Sequence, residues 1–315
     1  MRQSLPKSYR SVNYDLRPAK QVERRMIIDT LQRLASQGLP IRDYQYTGFG
    51  SIYFVDFILF HRILGMHRLL SAEGEKSDED RVMFNRPFDC VKVVMEYARD
   101  VIPTLKTDRK HLLWLDYDQK LSQDQLLDIR LASSHLPCSS MLLITVDVEP
   151  PDKNGTPAEW QEYFREQGGL FYDSTLTVQD FAADNLPFIN RHIVSRAITS
   201  GLTDQPGLQF LPLFNFLYAD GHQMLTIGGI IGSSKELRMI RKSKLATIHY
   251  IRRSFKRKPY QIKVPCLTRK ERLYLDLYMP CDEAWTPTEF GLESEELAAY
   301  REIYRFFPAY AELVL

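Results

Sequence analysis

The stretch "YTGFGSIYFVDF", Tyr46 to Phe57, places Gly48 and Gly50 between an aromatic run and an apolar helical pattern. Glycine has no Cβ, so a ligand can lie against the backbone there while the amides opening the next helix face it. Glu73 or Glu75, about 25 residues further on, closes the following apolar run and could accept hydrogen bonds from both hydroxyls of a ribose. Together the turn and the acid predict a site for a nucleoside-containing cofactor. A dinucleotide fingerprint would need a third glycine at position 53, where Tyr53 stands, and no Gly-Lys-Ser/Thr follows to make a phosphate loop. S-adenosylmethionine carries no phosphate, and its binding turn tolerates this departure.

Three acids are candidates for proton chemistry. Asp116 and Asp118 in "LLWLDYD" end one apolar run and Glu149 in "ITVDVEP" ends another. A hydroxyl that is to act as a nucleophile must lose its proton, which makes Asp118 or Asp116 the first candidate base and Glu149 the second. Acids at strand ends also cap neighbouring helices. Asp56 lies inside an apolar run, where an acid needs a partner. His61, His67, His111, His192 and His249 show no ligand spacing, and Cys90, Cys138, Cys266 and Cys281 form no C-x-x-C pair, so no metal site is expected.

A third signal is charge. From Lys235 to Lys263 there are eleven Lys or Arg against one acid, Glu236, with His249, Tyr250, Phe255 and Tyr260 interleaved. Arg252, Arg253, Lys256, Arg257 and Lys258 are the densest part and could track a phosphate backbone while the aromatics stack on bases. A solvated helix face, or a docking surface for an acidic protein, fits the same pattern. Over the whole chain 41 basic and 40 acidic side chains nearly cancel, so such a partner must be served by a local patch.

The elements that must hold these residues follow from periodicity. "AKQVERRMIIDTLQRLASQG" puts Val22, Met26, Ile27, Leu31 and Leu34 on one helical face and stops at Gly38. Strands are expected at "DYQYTG", "HRLLSAEGE", "DCVKVVMEYA", "KHLLWLDYD" and "SMLLITVDVEP", with a helix after Ser122 as N-cap. Strands alternating with helices over residues 41–150 predict a doubly wound, mainly parallel sheet. The region 150–206 reads as an insertion or helical lid. Asp220-Gly221 joins two β-like runs as a late antiparallel hairpin, and residues 234–315 form a basic, helical C-terminal region with Thr268 able to cap a helix. The expected division is 1–40 helical, 41–233 Rossmann-like, and 234–315. With 315 residues, 44% of them hydrophobic, the chain can bury a large core. The absence of an apolar leader and of a membrane-length apolar run predicts a cytoplasmic protein with no membrane partner.

This order of glycine turn, acidic second strand, acid-tipped fourth strand and late hairpin resembles the class I S-adenosylmethionine-dependent methyltransferases. "RPAKQVERRMIIDTL", "YTGFGSIYFVDFILFHRILG", "DRVMFNRPF" and "LLWLDYD" look like a bacterial O-methyltransferase group. The resemblance implies S-adenosylmethionine as cofactor, a cofactor turn at Gly48, Phe49, Gly50 and Ser51, Glu73 as ribose ligand, and Asp116 and Asp118 near the adenine and the acceptor. Tyr46 stands where the superfamily usually has an acid, and "DYDQ" replaces the "DPPY" of amino-methylating enzymes. It implies either an O-methyltransferase with an unidentified acceptor or a related non-catalytic subunit that holds nucleic acid or a partner protein.

Overall fold

A computed structural model describes residues 16–74 and 76–308. An eight-stranded sheet organises the chain. Its strands are β1 (Gln45–Gly48), β2 (Arg68–Ala72), β3 (Val91–Val94), β4 (His111–Lys120), β5 (Met141–Asp147), β6 (Leu208–Asp220), β7 (His222–Ser233) and β8 (Tyr260–Gln261). The spatial order is β3-β2-β1-β4-β5-β7-β6-β8. Neighbours from β3 to β5 are parallel, whereas β7 is antiparallel to β5 and β6. This is the expected doubly wound sheet with a late hairpin, which turns at Gly221 with φ of 97°. Strand order reverses between β1 and β4, and that switch point is where such sheets bind ligands.

Helices cover both faces. α1 (Pro18–Ser36), α2 (Val55–Leu64) and α3 (Glu79–Asn85) precede β3, and α4 (Ala98–Val101) and α5 (Gln123–His135) flank β4. α6 (Pro157–Gly168) and α7 (Leu186–Leu202) follow β5. The C-terminal region carries α8 (Ser234–Lys242), α9 (Arg269–Tyr278) and α10 (Ser294–Ile303). One buried layer joins α1 and α2 to Trp114, Phe214, Phe216 and Tyr218; the other joins α4 to α7 to Leu115, Ile144 and Ile227. Ser122 and Thr268 each close a capping box, as their positions predict.

Two parts differ from expectation. The 150–206 segment is not a lid throughout: α7 buries Ile189, Ile193, Val194 and Ala197 and completes the helical layer over the sheet. The C-terminal region adds β8 to the sheet edge and sends Ile303 and Phe306 into the α1 layer, while Leu275, Leu297 and Tyr300 make a small core of their own. Among the described residues no helix is long and apolar enough to cross a membrane.

Candidate functional site

At the switch point the turn after β1 is tied to the end of β2. Glu73 Oε1 accepts from Gly50 N at 2.8 Å, Ser51 N at 3.1 Å and Ser71 Oγ at 2.6 Å. Burial raises the Glu73 pKa, and these three donors oppose the rise. Among the described residues all of its side-chain hydrogen bonds fall on Oε1, so Oε2 keeps its acceptor capacity. Glu75, the alternative ribose acid, lies outside the described residues.

The glycines also have a packing role within the chain. A Cβ on Gly50 would lie 2.6 Å from the Phe54 ring and 2.6 Å from Ser71 Oγ, and one on Gly48 would lie 2.4 Å from the Tyr46 hydroxyl. The chain's own packing therefore fills the space a Cβ would need. The amides of Gly50 and Ser51 are bonded to Glu73 rather than held open, and α2 begins only at Val55 after Phe54 in the left-handed conformation. Ser51, also left-handed at φ of 51°, has a buried Oγ with no hydrogen-bond partner.

Next to this turn sits a set of buried charges that α1 delivers. The Asp220 carboxylate, at the hairpin tip, accepts from Ala19 N at 3.0 Å and Lys20 N at 2.9 Å, capping a helix whose own N-cap residue, Arg17, makes no side-chain cap. This cap holds the first turns of α1 over the C-terminal ends of the strands. Lys20 is wholly buried; its Nζ lies 2.8 Å from Asp116 Oδ1, 2.9 Å from Glu23 Oε2, 3.1 Å from Tyr218 OH and 4.4 Å from the Trp114 ring centre. Burial works against its charge, yet Asp116 and Glu23 outweigh it and its pKa is raised. Burial would raise Asp116 too, but Lys20 and then Arg24 hold it below the ordinary carboxylate range. Arg24 Nε meets Asp56 Oδ1 at 2.5 Å, which gives the acid inside the apolar run of α2 the partner it needs.

The three candidate bases are thus in different states. Asp116 is committed to Lys20. Asp118 is exposed and has no hydrogen bond or ion pair with any described residue. Glu149 pairs with Lys153 at 3.2 Å and His222 at 3.5 Å; burial opposes, but Lys153 prevails and its pKa is lowered. Through His222 it is linked to the buried Asp147 at the end of β5. Among the described residues no group of three or more His, Cys, Asp or Glu could hold a metal ion.

The basic stretch wraps the sheet edge. Tyr250 and Tyr260 are 1% and 8% exposed and belong to the core, so they are not free to stack on bases. Arg252 donates to His249 O at 2.6 Å and Lys258 O at 3.3 Å and lies over the Tyr260 ring, so its guanidinium is occupied by the fold. Lys235, Arg238, Arg241, Arg253, Lys256, Arg257 and Lys258 are exposed. α8 leaves the end of β7 opposite the β1 turn, so its part of this surface is remote from Glu73.

A family model described as "Putative O-methyltransferase" matches residues 12–315. The chain belongs to this family. No curated protein sequence matches it. Solved structures with a similar fold include cofactor-bound Rv0187 from MTB (16% identity, 66% of this chain and 81% of that one, TM-score 0.39). An O-methyltransferase from Bacillus cereus in complex with SAH matches at 13% identity over 71% and 86% (TM-score 0.37), and Trm1 from Pyrococcus horikoshii with S-adenosyl-L-methionine at 10% over 74% and 59% (TM-score 0.44). The family match extends past the Rossmann-like part to α1 and to the C-terminal helices.

Within this member of the O-methyltransferase family, the candidate site also contains residues that sequence reasoning missed. Lys20, Glu23 and Arg24 read as the polar face of an amphipathic helix, and contacts with β4 and α2 turn them inward. Tyr97 is another. Its ring lies so close to Gly74, the residue after Glu73, that a Cβ there would meet it at 2.5 Å, yet 59% of Tyr97 is exposed. An exposed aromatic one loop beyond Glu73 was the available signal.

Proposed function

We propose that the chain binds S-adenosylmethionine at the β1–β2 edge and transfers its methyl group to a hydroxyl acceptor. The observation that carries this reading is Glu73: a half-buried carboxylate at the switch point, fixed through one oxygen to the turn, with the other able to accept from vicinal ribose hydroxyls. The residues fit the cofactor in two further respects: Ser51 Oγ is a buried donor without a partner, and the exposed Tyr97 ring offers a stacking surface for adenine. Bound there, the cofactor supplies a methyl group activated by its sulfonium. The protein's part is to align the acceptor and take its proton. Asp118, unpaired and exposed, is the proton acceptor in this reading; Asp116, clamped by Lys20, shapes the floor beneath it. Glu149, held by Lys153, is less available. The test is a thermal-shift titration with S-adenosylmethionine, S-adenosylhomocysteine, ATP and NAD. Saturable stabilisation by the first two alone supports the reading, and none at millimolar ligand contradicts it.

The exposed cations favour a second reading, a methyltransferase-like subunit that holds nucleic acid or an acidic protein through its basic region. Its support is the row of exposed cations from Lys235 to Lys258. Nucleic-acid affinity would fall with salt, and replacing Lys256 and Arg257 would make the log–log slope shallower by roughly 1.4–1.8. Fluorescence anisotropy of labelled duplex and single strand measures this. No binding at low salt removes the nucleic-acid reading.

A further inference from the structure

The end of the sheet opposite Glu73 holds a cavity of about 330 Å³ at the starts of β1, β2 and β4, where Arg68, Arg109 and Lys110 stand with Asp43, Asp108 and Tyr44. Strand register brings these residues together: Arg68 and His111 face Gln45, the first residue of β1, from its two sides. Gln45 N also donates to Lys110 O at 3.0 Å. Arg68 Nη1 donates to Asp43 O at 2.7 Å, which holds the guanidinium at the cavity and leaves its other nitrogens without a bond to any described residue. Asp108 is taken by Arg109 at 3.4 Å. Among the described residues Lys110 has no acid partner, and neither has Arg42, exposed in the turn ahead of β1. Asp43 is left as an unpaired acid against Arg42, Arg68 and Lys110.

Two hydrogen bonds join the cavity wall to the basic helix α8. Tyr44 OH donates to Ser139 O at 2.7 Å, and Ser139 Oγ donates to Glu236 Oε1, in the first turn of α8, at 2.7 Å. Glu236 also accepts from Cys138 and Ser233, so its charge is committed to the fold. Lys235 and Arg238 beside it are exposed and have no acid partner among the described residues. In sheet order the cations run from Arg68 at β2, past Arg42 at β1 and Lys110 at β4, to Lys235 after β7. β2 and β7 are four strand spacings apart, roughly 19 Å at about 4.8 Å each. A chain whose total charge nearly cancels thus carries a local surplus of unpaired cations along one end of its sheet.

We infer that this end of the sheet docks the phosphate backbone of a nucleic acid, anchored in the cavity by Arg68 and Lys110 and continued by Lys235 and Arg238. The inference rests on the nucleic-acid reading above and extends it from the C-terminal basic stretch to cations that only the fold collects. Cations set out along one line suit a linear polyanion: phosphates recur about every 3.4 Å along one strand of a duplex, so roughly 19 Å spans five or six of them. A guanidinium already held by a backbone carbonyl receives a phosphate with little reorganisation. β2 separates this surface from Glu73 by five residues, roughly 16 Å. The nucleotides held here therefore anchor the partner and are not themselves presented to the donor site.

Fluorescence anisotropy of a labelled duplex and a labelled single strand, over a salt series with the full chain, tests this. Arg68→Ala/Lys110→Ala is expected to weaken binding by about 10-fold or more at low salt and to make the log–log salt slope shallower by roughly 1.4–1.8, since two phosphate contacts are lost. Arg68→Lys/Lys110→Arg, which keeps both charges, is expected to keep the wild-type slope. Lys235→Ala/Arg238→Ala, on an exposed helix face, reads the other end of the row in the same way, and circular dichroism confirms that each variant is folded. Wild-type affinity and slope in both alanine variants overturn the inference and leave the nucleic-acid reading to Lys256 and Arg257. A shallower slope in the charge-conserving variant too would mark a structural effect and overturn it as well. Displacement of the oligonucleotides by poly-glutamate at equal charge would assign the surface to an acidic protein instead. Wild type that binds neither probe at low salt contradicts the nucleic-acid reading and this inference with it.

Discussion

Lys20 in the first turn of α1 and Asp116 in β4 are 96 residues apart in sequence and 2.8 Å apart in space. The pair fastens an N-terminal helix to the edge of the sheet where the candidate site lies. Lys20 has no exposed side-chain surface, and its neighbour Glu23 has none either. Lys20→Met should therefore leave two carboxylates without their cation and lower stability by about 3–5 kcal/mol, the usual result of breaking one side of a buried pair. Urea denaturation followed by circular dichroism measures it. A loss below about 1 kcal/mol would show that the pair does not hold α1 in place.

Gly50→Ala tests the packing of the turn. The new Cβ would press on Phe54 and on Ser71 Oγ at 2.6 Å, both well packed, so a loss of about 1–3 kcal/mol is expected. Gly291→Ala is the control, because a Cβ there meets nothing within 4 Å. Equal melting temperatures for the two variants would contradict the close approach of Phe54 to the turn.

Much of this arrangement is legible in the sequence because its signals are local. Alternating apolar runs predict the parallel strands, Asp220-Gly221 predicts the hairpin, and Ser122 and Thr268 mark helix starts through contacts three residues away. Long-range contacts are a different matter. Nothing near Asp220 shows that its carboxylate caps a helix 200 residues earlier, and nothing near Lys20 shows that it faces inward. Tyr250 and Tyr260 illustrate the converse error: aromatics among cations suggest stacking platforms, but β8 pairing with β6 buries them. The glycine turn after β1 lies between these cases. Its glycines are conspicuous in the sequence, whereas their reason, the Tyr46 hydroxyl and the Phe54 ring, depends on side-chain packing.

Glu236 gives a pH-dependent test of how α8 is fixed. Its carboxylate accepts from Cys138 Sγ, Ser139 Oγ and Ser233 Oγ, each within 2.8 Å, and the Cys138 bond above all lowers its pKa to about 2 against the opposing effect of burial. A depressed acid contributes stability that is present above its unfolded pKa, about 4.5, and is lost as pH falls toward about 2. Wild type should thus melt above Glu236→Gln at pH 7, and the gap should narrow steadily from pH 5 to pH 2. A gap that stays constant across that range would mean that the carboxylate's charge does not fix α8.

The most direct test of the central claim is calorimetric titration of S-adenosylhomocysteine into wild type and Glu73→Gln, with circular dichroism confirming that both are folded. Saturable one-to-one binding is predicted for wild type. For the variant, loss of a charged acceptor for the ribose hydroxyls should weaken binding by about 1.5–3 kcal/mol. No heat from wild type at millimolar ligand, or equal affinity in the two proteins, would contradict the assignment of Glu73 and the β1 turn as the donor site.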